Sequence, residues 1–395
     1  MGVKVTDSVT WVGKVDWELR RFHGEELSTH RGSTYNSYLV KDKKNVLIDT
    51  VWTPFREEFI TNLEKEIKLQ DIDYIVVNHS EIDHSGALAE LLKKIPDTPV
   101  YCTKNGAKLL KAQFHHNWNF QIVKTGDSLD LGDKKLIFIE APMLHWPDSM
   151  FCYLTEDAIL FSNDAFGQHY ASEERYNDLV DTCELYQEAV KYYANILTPY
   201  SKFVPKKIEE FASLRLPLNY ICPSHGVIWR ENPMQIVEHY VKWADSYQEN
   251  QATIIYDTMW DSTKIMATAI AAGLKRHDNT LTVKLFNMSK SDRNDVVTEI
   301  FKSKVLLAGS STINRGILFT IAGILEEIKG MSFKNKKAIA FGSYGWSGES
   351  VAIITEQLKT AGFDIINDGL KILWKPDSEV LTACEEYGFN LLKTK

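Results

Sequence analysis

Seven side chains able to bind a metal stand at the ends of expected strands within the first 225 residues. Four share one octet, His79-Ser80-Glu81-Ile82-Asp83-His84-Ser85-Gly86, which supplies His79, Glu81, Asp83 and His84. The others are His145 in Leu144-His145-Trp146-Pro147-Asp148-Ser149, Asp164 in Ser162-Asn163-Asp164-Ala165, and His225 in Pro223-Ser224-His225-Gly226. Four imidazoles and three carboxylates exceed what one closed tetrahedral site takes. They suit two metals that share a bridging carboxylate. A nitrogen and oxygen set without thiolate favours iron, manganese or zinc over copper(I) or an iron–sulfur cluster. A polar turn whose histidines cap the next helix would explain the octet alone. It does not explain three further ligands, each placed after a strand of its own.

The elements that must position these groups are legible. Tyr74-Ile75-Val76-Val77 is a continuous apolar run, hence a buried strand, and it delivers His79 at its C-terminal end. Leu136-Ile137-Phe138-Ile139 leads to the loop of His145, Ala158-Ile159-Leu160-Phe161 to Asp164, and Tyr220-Ile221 to His225. Ligands just beyond buried strands are held by a rigid sheet while facing its open edge. Residues 35–50 read as a hairpin, with Tyr38-Leu39-Val40 and Val46-Leu47-Ile48 around the charged turn Lys41-Asp42-Lys43-Lys44. A helix is expected over 54–68, with Pro54 in its first turn. Another is expected from near Ser85, with Leu88, Leu91 and Leu92 on one face. Residues 170–215 read as mostly helical. His115, His116, His239 and His277 lie on polar stretches and read as solvated, and His169 as structural or placed behind the ligands.

Polarity rises around residues 248–253, and a new pattern begins. Strands are expected at Thr253-Ile254-Ile255-Tyr256, Thr282-Val283-Lys284-Leu285-Phe286, Val305-Leu306-Leu307-Ala308 and Ala338-Ile339-Ala340-Phe341, with helices between them over 263–274 and 294–301. This alternation implies an α/β fold with a doubly wound parallel sheet. The expected domains are 1–250 and 251–395, divided near Gln251. After the first strand comes Asp257-Thr258-Met259-Trp260-Asp261-Ser262-Thr263-Lys264, opening a helix. Its backbone N–H groups, hydroxyls and helix N-terminus offer a phosphate site. No G-x-G-x-x-G is present, which disfavours a dinucleotide. Ser310, Ser311, Thr312 and Asn314 follow the third strand. Ser343, Tyr344, Gly345, Trp346, Ser347 and Gly348 follow the fourth. Loops at the carboxyl ends of parallel strands form the crevice of such a sheet. There glycines admit a ring, and Trp346 or Tyr344 could stack on it.

Net charge is −8 with no long basic run, which argues against nucleic acid or an anionic membrane as partner. No signal-like segment opens the sequence, and no run reaches the ~18 apolar residues of a membrane span. The five cysteines form no C-x-x-C pair, so a disulfide framework is not expected and a reducing cytoplasm fits.

His79-x-Glu81-x-Asp83-His84 resembles the metallo-β-lactamase motif His-x-His-x-Asp-His with glutamate for the second histidine. That replacement is characteristic of the flavodiiron proteins (A-type flavoproteins). The phrases around His145, Asp164 and His225 are similar to that family too. The loops after residue 257 resemble a flavodoxin, although the flavodoxin phosphate loop usually has glycine where Trp260 or Asp261 stands. The resemblance spans essentially the whole chain. It implies an N-terminal metallo-β-lactamase-like αββα sandwich and a C-terminal flavodoxin-like domain, with FMN and two iron ions as cofactors. It places His79, Glu81 and His145 on one iron, Asp83, His84 and His225 on the other, and Asp164 between them. It adds His23 at the open face and a tyrosine near the bound gas, Tyr192 or Tyr193. The implied activity is reduction of nitric oxide to nitrous oxide, of dioxygen to water, or both. Electrons would pass through FMN from a rubredoxin-like donor, in a head-to-tail homodimer or a dimer of dimers. The chain looks most like the nitric-oxide-reducing branch, whose members continue into a rubredoxin domain with two C-x-x-C pairs. None occurs before Lys395, so a separate donor, or a domain removed from this chain, is expected. Other classes are a zinc hydrolase, which the glutamate at 81 disfavours, and a flavin carrier with a merely structural metal pocket.

Overall fold

The computed structural model describes residues 2–393. The chain forms two compact units. One runs to Tyr193 and resumes over Tyr200–Val241; the other holds Ala194–Pro199 and the chain from Lys242 onward. The expected seam near Gln251 falls inside the strand Glu249–Asp257. Gln251 is buried, its amide donating to Glu299 O at 3.1 Å and Ser303 Oγ at 3.1 Å. Polarity there marks a satisfied strand end, not a linker.

In the first unit, seven strands form one sheet in the order Val3–Lys4, Val9–Trp11, Tyr38–Val40, Asn45–Ile48, Ile72–Val76, Val100–Cys102, Phe120–Ile122. Five more form a second, in the order Ser128–Asp130, Lys135–Glu140, Met150–Leu154, Ile159–Asn163, Tyr220–Pro223. Side chains alternate along each strand, and this period of two builds two cores. Val46, Ile48 and Val76 face the second sheet and meet Phe138, Cys152 and Phe161. Leu47 and Ile75 face the other way, packing with Leu63, Leu88 and Leu91 of helices Arg56–Glu66 and Leu88–Lys94. Tyr153, on the outer face of the second sheet, packs against Phe211 of helix Val204–Ser213. The result is an αββα sandwich.

The hairpin pairs Tyr38 with Ile48, Leu39 with Leu47 and Val40 with Val46, as its charged turn requires. The 170–215 segment is helical from Thr182 onward: an α-helix over Thr182–Tyr192, a π turn over Tyr193–Leu197, a 3-10 stretch over Thr198–Phe203 and an α-helix over Val204–Ser213. Before that the chain is extended, because its backbone bonds elsewhere: Ala171 N to Arg31 O and Asn177 N to Ile228 O.

The second unit is a parallel sheet in the order Thr282–Asn287, Glu249–Asp257, Ser303–Ser310, Lys337–Tyr344, with Asp364–Ile365 and Leu370–Leu373 both on the last. Numbered along the chain this is 2-1-3-4-5, the flavodoxin-like order, in which a ligand sits beyond the carboxyl ends of strands 1 and 3. Ile254, Leu307 and Ile339 are buried against Met266 and Ile270 of helix Ser262–His277. No helix among the described residues is long and apolar enough to cross a membrane.

Candidate functional site

Strand Ile72–Val76 ends three residues before His79, and the chain turns at once into the short helix Ile82–Ser85. That helix starts earlier than expected because His84 N and Ser85 N both bond to Glu81 O. The turn separates two pairs of ligands: His79 and Glu81 approach His145, while Asp83 and His84 approach His225. His145 lies in the connection between Lys135–Glu140 and Met150–Leu154, Asp164 follows Ile159–Asn163, and His225 follows Tyr220–Pro223.

Asp164 stands in the middle. Its Oδ2 is 3.7 Å from His79 Nε2 and 3.5 Å from His145 Nε2. Its Oδ1 is 3.2 Å from His84 Nε2 and 3.4 Å from His225 Nε2. Glu81 Oε2 joins the first group, 3.1 Å from His79 and 3.5 Å from His145. Asp83 Oδ2 joins the second, 3.4 Å from His84 and 3.0 Å from His225. Donors about 2.1 Å from one ion lie roughly 3.0–3.4 Å apart for angles between square and tetrahedral. The spacing therefore fits two ions, one at each oxygen of Asp164. Asp83 Oδ1, His84 Nε2 and Asp164 Oδ2 are buried without a hydrogen-bond partner, a state that bound cations would relieve. All seven groups are buried, and three carboxylates out of water require cations nearby.

Protons can supply part of that charge. Burial opposes protonation of His84, but Asp83 and Asp164 hold its pKa up at about 9. Burial likewise opposes, and Asp148 and Glu81 favour, a proton on His79, whose pKa lies well above the usual imidazole value. Burial raises the pKa of Asp164, but the neighbouring imidazoles, His84 first, hold it well below the carboxylate range. Metal entry must displace the imidazole protons. A raised folded-state pKa stabilises fully below the unfolded value and is lost as pH rises through the folded one. Between about pH 6.5 and 9, His84 thus contributes less and less to the metal-free fold, while metal binds more tightly. The metal-free melting temperature is expected to fall over this window as metal affinity climbs; a rise in both would refute the assignment.

The imidazoles are oriented from behind. Asp148 Oδ2 lies 3.2 Å from His79 Nδ1 and accepts Ser80 N at 2.7 Å. Thr34 O is 2.6 Å from His225 Nδ1. Such bonds fix the tautomer that turns Nε2 to the metal. Asp148 was not among the candidates read from the sequence; its only signal was its place three residues after His145. Asp148→Asn should weaken metal binding about 10–100-fold in a chelator competition. Wild-type affinity would show that His79 needs no such orientation.

His23 stands in a left-handed turn with φ of 52° and places Nε2 2.7 Å from Glu81 Oε1. Burial lowers its pKa, but the bond to Glu81 and the charges of Glu81 and Asp83 together outweigh this, and the net shift is upward. Tyr192 donates to Asp164 Oδ1 at 3.1 Å. Tyr193 does not reach the cluster: its hydroxyl meets Ser201 Oγ at 2.9 Å and its ring packs on Tyr240. Adjacent helical residues point about 100° apart, so only one of the two can face the site. His169 packs beside His225, with ring centroids 5.1 Å apart. Burial, then the neighbouring imidazoles His225 and His23, hold its pKa well below the usual value. Phe22 stacks on His23 and meets His169 and His225 edge-on, and Trp146 meets His79 in the same way. Sequence reasoning singled out neither aromatic; adjacency to His23 and His145 was the available clue.

In the second unit the candidate loops sort into braces and open faces. The hydroxyls of Thr263, Ser311 and Ser343 are buried and bonded to one another at 2.9–3.3 Å, tying three loops together. Ser310 Oγ donates to Ser311 O and accepts Leu318 N, and Thr312 Oγ1 donates to Ser350 Oγ. Asn314 takes a left-handed turn. The other groups stay available. Thr258 Oγ1 is buried without a partner. Asp261, one of the two positions with Trp260 where a glycine is expected in a flavodoxin loop, adopts the left-handed conformation with φ of 62°, a region Asp tolerates better than most residues. Its side chain does not cap helix Ser262–His277, which leaves the first-turn N–H groups, Ser262 among them, without a side-chain cap. Tyr344 and Gly345 are half-buried, and Met259 and Ser347 are exposed. Gly348 has φ of 81°, and a Cβ there would meet the Tyr344 ring. Trp260 and Trp346 are 87% and 86% exposed, too bare for rings that serve as core. An uncapped helix start beside bare aromatic rings fits a phosphate bearing a flat ring system, as in FMN.

Residues 34–226 match the family described as ODP family beta lactamase, and residues 254–388 match flavodoxin. A protein named anaerobic nitric oxide reductase flavorubredoxin, from Escherichia coli O1:K1 / APEC, is 54% identical over 390 residues, covering 98% of this chain and 81% of its own length. One of the same name from Klebsiella pneumoniae is 53% identical over 395 residues, covering 100% and 82%. Among solved structures, the rubredoxin oxygen:oxidoreductase of Desulfovibrio gigas superposes with a TM-score of 0.95 at 36% identity, covering 98% of this chain and 97% of that one. The flavodiiron protein of Giardia intestinalis does so with 0.94 at 33% identity, covering 99% and 96%. Both domain types, a two-sided carboxylate–imidazole cluster and identity above half over nearly the whole chain lead to one conclusion: this chain belongs to the flavodiiron family of oxidoreductases, in the company of the flavorubredoxins.

Proposed function

We propose that this chain reduces nitric oxide to nitrous oxide at a di-iron centre supplied with electrons through FMN, with dioxygen as its second substrate. The observation that carries this reading is the division of six ligands between the two oxygens of Asp164, with Glu81 where a hydrolytic zinc site has imidazole. When bound, two irons supply paired electrons and Lewis acidity, and FMN passes electrons singly or in pairs. His79, Glu81 and His145 would hold one ion, Asp83, His84 and His225 the other, and Asp164 both. Joining two nitric oxide molecules consumes two electrons and two protons and yields nitrous oxide and water. Tyr192 keeps its proton: burial, then Asp164, hold its pKa well above the usual phenol value. It therefore acts as a fixed donor that orients the bridge. His23, its side chain 37% exposed and bonded to Glu81, is the group placed to carry protons in from solvent. Phe22 and Trp146 keep water off the imidazole faces.

On this reading the donor is a rubredoxin-type protein or domain that approaches the exposed tryptophans of the second unit, in the cytoplasm. Trp260, Phe319, Trp346 and Trp374 are 62–87% exposed, and the rings of Trp346 and Trp374 lie 6.2 Å apart between centroids. A head-to-tail homodimer, or a dimer of dimers, would cover part of this aromatic surface and set one copy's FMN beside its partner's irons. Oxygen reduction is the runner-up, favoured by the likeness to the rubredoxin oxygen:oxidoreductase. The deciding assay is anaerobic steady-state turnover of iron- and flavin-loaded protein with a rubredoxin donor, comparing nitric oxide with dioxygen. Nitrous oxide formation at a rate at least equal to oxygen consumption is expected. Robust oxygen turnover with negligible nitrous oxide would reverse the order. A purified protein holding zinc and no flavin would point instead to a hydrolase.

A further inference from the structure

We infer that the two ion positions are unequal: the one formed by Asp83, His84 and His225 fills first and retains its ion, while the one formed by His79, Glu81 and His145 fills second and exchanges with ions in solution. This rests on the two-ion reading above and sets an order within it. The donor spacings already differ. In the His225 group, His225 and His84 stand 3.0 and 3.4 Å from Asp83, and 3.4 and 3.2 Å from Asp164 Oδ1. All four fall in the roughly 3.0–3.4 Å window of donors around one ion. In the Glu81 group His79 is 3.1 Å from Glu81, but His145 is 3.5 Å from both Glu81 and Asp164 Oδ2, and His79 is 3.7 Å from the latter. The His225 group thus already has the shape of its occupied state, whereas the Glu81 group must close in. A site that needs no rearrangement binds more tightly, because ordering its groups costs nothing at the moment of binding.

Existing contacts point the same way. Glu81 is engaged on both oxygens, Oε2 lying 3.1 Å from His79 Nε2 and Oε1 2.7 Å from His23 Nε2. In the His225 group, Asp83 Oδ1 and His84 Nε2 are buried without a partner, so seating an ion breaks no hydrogen bond at those atoms. Asp164 Oδ2 is likewise open towards the other side, but the Glu81 carboxylate beside it is not. Thr34 and Asn36 grip the loop of His225. Thr34 O is 2.6 Å from His225 Nδ1 and Thr34 Oγ1 accepts Gly226 N at 2.7 Å, while Asn36 N donates to Ser224 O at 2.8 Å and its amide to Pro223 O at 2.8 Å. His84 O accepts both Thr50 N at 2.7 Å and Thr50 Oγ1 at 2.8 Å. On the other side Asp148 holds His79, but the side chains of Glu81 and His145 are each 11% exposed, against 2% for Asp83, His84 and His225. Solutes therefore reach the Glu81 position directly. Release from the His225 position requires the buried groups around it to open, which is slower.

The test loads metal-free protein anaerobically with one equivalent of ferrous iron in the Mössbauer-active isotope and then one in the silent isotope, and repeats this in reverse order. One quadrupole doublet is expected when the active isotope goes in first, and a different one when it goes in second. An excess of chelator should then remove the two irons in two phases whose rates differ at least about tenfold. Glu81→Gln and Asp83→Asn assign the phases, with circular dichroism to monitor the fold. His145→Gln and His225→Gln repeat the assignment from another ligand of each group. Glu81→Gln should keep one iron that leaves at the slow wild-type rate, and Asp83→Asn should lose the slow phase. Identical spectra in both loading orders, or a single release phase, would overturn the inference and leave the two-ion reading intact. A slow phase that survives Asp83→Asn and is missing from Glu81→Gln would overturn the order. Wild-type protein that never takes a second iron would remove the two-ion reading, and this one with it.

Discussion

Asp164→Ala should leave a folded protein with no more than one iron and with gas reduction lowered by more than about a hundredfold. Groups that only support a ligand typically cost 10–100-fold in affinity or activity when changed, and Asp164 contacts both ion groups directly. Each of its oxygens lies within 3.7 Å of two imidazole nitrogens, so truncation removes a donor from both ions at once. The ions then also lose the charge that screens one from the other. The fold should survive because the residue's backbone role, accepting Gly167 N, does not need the carboxylate. Elemental iron per chain and circular dichroism decide the matter. Two irons with undiminished gas reduction would sink the bridging assignment.

The second large effect concerns electron flow. Flavin-free protein should keep both irons and lose steady-state turnover with a rubredoxin donor, falling to background. The physical reason is separation. All seven candidate metal ligands lie between residues 79 and 225 in the first unit, and the candidate cofactor loops lie between 258 and 348 in the second. Each unit has its own apolar core, so emptying one site does not unbuild the other. Adding FMN back should restore turnover without adding iron. Sustained turnover from the same donor in the absence of flavin would refute this wiring.

The sequence by itself determined what is local. Side-chain chemistry and the apolar runs before His79, Asp164 and His225 pointed to the candidate ligands, because a buried strand and the residue just past it are read from a few consecutive positions. The Tyr38–Val40 hairpin and the alternation after residue 253 were legible for the same reason. Tertiary structure decided which way side chains face. Tyr192 and Tyr193 are equivalent in sequence, and only the docking of their helix turns one hydroxyl to Asp164 and the other to Ser201. Thr263, Ser311 and Ser343 all read as cofactor donors, yet three strands brought side by side let them satisfy one another. Asp148, Phe22 and the placement of His169 depended likewise on contacts between segments far apart in the chain, as did the split into two compact units. Periodicity and residue type are carried by neighbours in sequence. Orientation is set by whatever packs against the residue, and that is known only once the chain has folded.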